Sequence, residues 1–166
     1  MHDPIYLLAE ALGTRLKTLD LRLALAESCT GGGIAKAITD VPGSSGWFDR
    51  GFVTYSNDAK IDMLGVKPET LAKVGAVSEE AALEMVAGAL THSHADVALA
   101  VTGIAGPDGG TPTKPVGTVF IAWQARGAVG VCLQKQFSGD RQSIRQQATL
   151  FCLQQLLQWL EPPTSP

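Results

Sequence analysis

Apolar residues recur along this chain in two rhythms, and the switches between them mark out its elements. Ile5, Leu8, Ala9, Leu12, Leu16 and Leu19 fall at three- and four-residue steps, which predicts an amphipathic helix over 5–19 that packs on a sheet. The apolar run at 21–26 reads as a first strand. Helical spacing resumes with Ile34, Ala35, Ala37 and Ile38, so a helix is expected from about 30 to 39, ending where Asp40, Pro42 and Gly43 break the pattern. Residues 51–55 read as a second strand, and Ser56, Asn57 and Asp58 as the cap of a short helix carrying Lys60, Met63 and Leu64. Pro68 marks another helix start, and Ser78 followed by Glu79 and Glu80 opens a helix running to about His92. The buried-type run at 96–101 is a third strand. Two longer runs, 116–124 and 129–137, are separated by Ala125, Arg126, Gly127 and Ala128 and read as a hairpin. A helix over 141–160, capped by Asp140, closes the pattern, and the proline-rich residues 161–166 are expected to be disordered.

Helices alternating with strands, followed by a late hairpin, predict one α/β domain over 1–160: a three-layer α/β/α sandwich around a mixed central sheet. The 166 residues, 45% hydrophobic and 17% charged, suit a single core. A net charge of −3 and a pI near 5.5 leave no basic footprint for nucleic acid. Glu10, Arg15 and Lys17 interrupt the first apolar segment, so neither a signal peptide nor a membrane span is expected, and the reading is a soluble cytoplasmic protein. Cys29, Cys132 and Cys152 are widely spaced and odd in number, which fits reduced thiols rather than a disulfide framework or zinc site. His92 and His94 are two residues apart, with His2 the remaining histidine, and a metal centre needs three or four ligands, so no metal is expected.

In open α/β sheets ligands sit at strand ends, and three strand ends here carry polar or glycine-rich turns. The first runs from Ser28 through Thr30, Gly31, Gly32 and Gly33 into a helix start, a junction whose N–H groups suit an anion or an oxyanion. Ser28 or Thr30 would serve equally as an ordinary helix cap. The second spans Tyr55 to Lys60, and the third Thr102 to Thr111, a glycine-rich loop that matches neither a P-loop nor a dinucleotide fingerprint. If the three strands run parallel, the turns converge. The loop at 41–46, with Ser44, either lines a polar pocket or is a plain turn. A serine nucleophile needs a base, and the histidines lie away from every candidate turn, which leaves Ser with Lys, assisted by Tyr. Lys60 and Tyr55 fit that need, provided burial lowers Lys60 from the free value of about 10.4. The plainer alternatives are a solvated helix lysine and a half-buried strand aromatic.

The strings AESCTGG, PGSSGWFDRGFVTYSNDAK, LGV, GAVSEE, LAVTGIAGPDGGTPTKPVGTVFIA and GDR resemble, in order and from about Ile5 to Leu160, the C-terminal domain of the competence/damage-inducible CinA proteins. That domain also occurs alone as an amidase acting on nicotinamide nucleotide. The resemblance implies hydrolysis of the carboxamide of nicotinamide mononucleotide to nicotinic acid mononucleotide and ammonia, without cofactor. It gives the catalytic roles to Ser28, Tyr55 and Lys60, and implies that the turn with Thr102, Gly103, Ala105 and Gly106 lines the ligand pocket; Thr30, Gly31, Gly32, Ser44, Asn57 and Arg141 are the further candidate substrate contacts. Arg141, in the GDR string, would pair the nucleotide phosphate as a guanidinium fork, or else simply bond Asp140 or solvent. The implied partner is a small nucleotide, with homo-oligomer formation left open. The rival class is a non-catalytic nucleotide-binding or regulatory domain in which Ser28 only caps its helix.

Overall fold

The computed structural model describes residues 3–162, so the expected disorder of 163–166 and the position of His2 lie outside the described residues. Helix α1 covers Pro4–Leu19, strand β1 Leu23–Glu27 and helix α2 Gly33–Thr39, followed by a 3₁₀ turn at Ser44–Gly46 and strand β2 at Phe48–Val53. Helices α3 (Asn57–Leu64), α4 (Pro68–Val74) and α5 (Glu79–Thr91) lead to β3 (Val97–Gly103), the hairpin β4 (Thr118–Ala125) and β5 (Val131–Gln136), and the long α6 (Arg141–Leu160). The sheet order is β2-β1-β3-β4-β5. Strand β1 pairs in parallel with β2 and β3, whereas β3–β4 and β4–β5 are antiparallel, so the expected mixed sheet forms.

Alternation along the central strands separates two faces of different depth. Leu23, Leu25, Val97, Leu99, Val101, Val119 and Ile121 face a core with α1, α2 and α6. Ala24, Ala26, Ala98, Ala100 and Ala122 face the other side, where α5 packs with Ala82, Met85, Val86 and Ala89. The alanine face lets α5 lie close to the sheet, and Gly88 lets α3 lie close to α5, because a Cβ there would fall on the Leu64 carbonyl oxygen. Helix α3 is thereby seated against the domain, and its position decides where Lys60 stands.

Several boundaries differ from the sequence reading for identifiable reasons. Strand β2 occupies Phe48–Val53 rather than 51–55, because pairing with β1 begins opposite Leu23 and Thr54 then turns the chain toward α3. Helix α2 begins at Gly33 rather than near Thr30. Gly31 and Gly32 hold φ of +60° and +96°, values that keep them out of a right-handed helix, and Gly32 is the N-cap without a side-chain cap bond. Neither Ser28 nor Thr30 caps α2. The Glu27 carboxylate does so from the end of β1, accepting from Ile34 N at 3.0 Å and Ala35 N at 3.0 Å. Glu161, expected in the disordered tail, is instead the C-cap of α6, its N–H donating to the Leu157 carbonyl at 3.1 Å.

Candidate active site

The parallel pairing of β2, β1 and β3 brings the ends of all three strands to one edge of the sheet. A cleft of about 290 Å³ opens there, and its wall includes Ser28, Tyr55, Asn57, Lys60 and Arg141. Thr102, Gly103, Ala105 and Gly106 complete the side contributed by β3 and the loop after it. Thr102 is tied to the segment before α5 by a 2.9 Å hydrogen bond to the Ala76 carbonyl, and Ala76 and Val77 form part of the wall. The side chains of Thr30 and Ser44 do not line it, and neither do Gly31 and Gly32. Thr30 lines a separate cleft with Lys36 and Arg145, the two glycines shape the turn, and Ser44 is buried in the 3₁₀ turn.

Lys60 is the unusual element of this cleft. Ser56 caps α3 through Ala59 N at 3.0 Å, and the helix turns Lys60 and Leu64, one helical turn apart, to its buried face. The lysine is only 1% exposed, so it is not the solvated helix lysine of the plainer alternative. Its Nζ donates to Ser28 Oγ at 3.0 Å and to the Thr54 carbonyl at 2.8 Å. No carboxylate pairs with it among the described residues. Burial without a counter-charge disfavours the ammonium and pushes Lys60 below its ordinary value of 10.5. A charged Cys29 would oppose that shift, but burial pushes the Cys29 thiol up to about 12, so it stays neutral around pH 7. Cys29 is consequently a poor nucleophile despite its place beside Ser28.

Tyr55 is 59% exposed and lies beyond β2, not half-buried within a strand. Its phenol oxygen accepts from Arg141 Nη2 at 2.7 Å, where the sequence reading expected it beside Lys60. Arg141, in the first turn of α6, also donates from Nη1 to the Gly106 carbonyl at 2.8 Å. Asp140 instead accepts from Ser143 N at 2.8 Å and caps α6. No ion pair engages Arg141 among the described residues, so a guanidinium held by two neutral oxygens faces a cleft. That is a recognition element suited to a phosphate or carboxylate.

Two residues that hold the Ser28 turn were not singled out from the sequence. Glu27, 1% exposed, accepts from Thr30 Oγ1 at 2.6 Å as well as from the first turn of α2. Arg145 of α6 donates to the Cys29 carbonyl at 3.0 Å and the Thr30 carbonyl at 3.3 Å. A signal for both is present: Glu27 is a charge ending an apolar strand, and Arg145 follows Arg141 by one helical turn. The Thr30 N–H donates to no other residue among those described and remains available at the turn, while the Cys29 N–H lies against its own thiol. His92 and His94 sit beyond the end of α5, and no group of three or more candidate metal ligands occurs among the described residues. No described helix is long and apolar enough to cross a membrane.

A family model described as the CinA C-terminal domain matches residues 6–160. The chain is 54% identical to a protein of Escherichia coli named nicotinamide-nucleotide amidohydrolase PncC, over 91% of this chain and 92% of that protein. A Pseudomonas putida protein of the same name is 52% identical over 94% of this chain and 97% of its own length. Among solved structures, the competence/damage inducible protein CihA of Agrobacterium tumefaciens superposes with a TM-score of 0.93 at 46% identity, covering 97% of this chain and 98% of that one.

Proposed function

This chain belongs to the CinA C-terminal domain family, and on that premise we propose that it is an amidohydrolase acting on nicotinamide mononucleotide, with Ser28 as nucleophile and Lys60 as base. The observation that carries the proposal is the 3.0 Å hydrogen bond between Lys60 Nζ and Ser28 Oγ in a buried setting that lowers the lysine. A serine hydroxyl needs a base in direct reach, and an uncompensated buried lysine is one of the few that can serve near neutral pH. The names and high identities of the relatives support the choice of amide.

In the proposed reaction neutral Lys60 accepts the proton of Ser28 Oγ as that oxygen bonds to the carboxamide carbon. The carbonyl oxygen takes up negative charge, which an N–H group of the turn after Ser28, such as that of Thr30, is suited to hold, at about 3 kcal/mol per donor. Collapse of the adduct breaks the carbon–nitrogen bond, Lys60 returns its proton to the leaving nitrogen, and ammonia departs. Water then attacks the acyl-enzyme, giving its proton to Lys60, and the released Ser28 oxygen recovers one as the carboxylate product leaves. Arg141 binds the phosphate, and Tyr55, bonded to Arg141 rather than to Lys60, keeps the guanidinium oriented. Thr102, Gly103, Ala105, Gly106 and Asn57 form the remaining substrate wall.

The binding-domain reading gives Ser28 to a helix cap, and Glu27 occupies that role. The test of the proposed activity is ammonia release from nicotinamide mononucleotide by the purified protein, with nicotinic acid mononucleotide appearing in equal amount. No turnover at micromolar enzyme would refute it.

A further inference from the structure

Resting on the reading of Ser28 as nucleophile, we propose that Arg145 is a positioning residue that locks the Cys29–Thr30 peptide plane behind Ser28, so that the Thr30 N–H group is held ready for the oxyanion. Arg145 stands outside the cleft that contains Lys60 and Arg141 and lines a neighbouring one with Thr30 and Lys36, so it works through the turn rather than by touching substrate. Its Nε reaches the Cys29 carbonyl at 3.0 Å and its Nη2 the Thr30 carbonyl at 3.3 Å. In a planar trans peptide the C=O and the following N–H point in opposite directions, so fixing the Cys29 carbonyl also fixes the direction of the Thr30 N–H, away from the guanidinium.

The turn is held from a second side by a different chemistry. Glu27 takes the donors, namely Thr30 Oγ1 at 2.6 Å and the Ile34 and Ala35 N–H groups at 3.0 Å each, while Arg145 takes the acceptors. Ser28 itself is tied to β3 by its N–H on the Val101 carbonyl at 3.0 Å. A turn with two glycines at positive φ has little stiffness of its own, and the charged pair supplies what the glycines lack. The fit is close: a Cβ on Gly31 would lie 2.9 Å from Arg145 Nη2. No carboxylate competes for the guanidinium among the described residues.

The experiment compares the full-length wild type with R145M, which keeps an apolar stem, and R145K, which keeps one cationic donor. Three quantities are read: kcat and KM for ammonia release with their pH profile, the rate at which a fluorophosphonate modifies Ser28, and the thermal midpoint. In the labelling reaction Ser28 Oγ bonds to phosphorus, fluoride leaves, the serine proton goes to Lys60, and the phosphoryl oxygen draws on the same N–H donor without any nucleotide. For R145M we expect kcat and the labelling rate to fall together by about 30-fold or more, with KM within about threefold and the apparent pKa unmoved because Lys60 is intact. R145K should fall between. A folded R145M with both rates within about threefold of wild type overturns the proposal, as does a loss carried by KM or by a displaced pH profile. If R145M does not fold, R145K decides by the same criteria with an expected loss of about tenfold. Wild type that labels on Ser28 but releases no ammonia refutes the substrate and leaves Arg145 to be judged by labelling. Wild type that neither labels nor turns over refutes the nucleophile and the positioning role together.

Discussion

Replacing Lys60 by methionine keeps the aliphatic stem and removes the group that touches Ser28. General-base assistance contributes about 10²- to 10⁴-fold, so K60M should lose at least about 100-fold in kcat/KM. Lys60→Arg should fail to a similar degree, because a guanidinium does not give up its proton near neutral pH. In the wild type, kcat/KM should rise with pH to a plateau through an apparent pKa below the ordinary 10.5, since burial lowers the lysine and only its neutral form accepts a proton. Stability should move the other way. With the folded value below the unfolded one, the ammonium form favours the unfolded chain: the cost is absent above about pH 10.5, grows as the pH falls toward the folded value, and is full below it. Methionine removes that cost but leaves the Thr54 carbonyl without its 2.8 Å donor, at about 1–3 kcal/mol. The advantage of K60M over wild type should therefore be greatest at neutral pH and shrink toward pH 10.5, as followed by thermal melts across that range. Near-wild-type turnover by K60R, or a wild-type profile that rises only at the free-lysine value, would refute the assignment of the base.

Arg141→Ala should raise KM for nicotinamide mononucleotide by about 10-fold or more and narrow the preference for the mononucleotide over the riboside, measured by ammonia release from both. Gly88→Ala should destabilise the fold by about 2 kcal/mol or more and lower turnover at temperatures where it remains folded, because the new methyl meets the Leu64 carbonyl and pushes α3, with Lys60, away from α5. Thermal melts and kcat on the same preparation check both parts.

The layers and the mixed sheet were legible because the strands and helices carry strong periodicity, and the three glycine-rich or polar turns pointed to one edge once parallel pairing was assumed. Lys60 was legible as chemistry but not as a buried group, since a lysine at helical spacing beside Leu64 reads equally as surface. The partner of Tyr55 was not legible at all. Its bond to Arg141 spans 86 residues, and no local pattern reports such a contact. The start of α2 was misplaced because Ser and Thr are common caps, whereas the cap here arrives from Glu27, several residues upstream and across a turn whose two positive-φ glycines delay the helix. The loop's small hydroxyl residues drew Ser44 toward the site, yet its side chain is buried in a 3₁₀ turn that does not line the cleft.

The most direct measurement is ammonia release by Ser28→Ala beside wild type, with nucleotide binding and the thermal midpoint determined on the same samples. The account predicts turnover lower by about 10³-fold or more, with binding and folding close to wild type, because one hydroxyl leaves a turn held by Glu27 and Arg145. A Ser28→Ala protein that releases ammonia at the wild-type rate would contradict it.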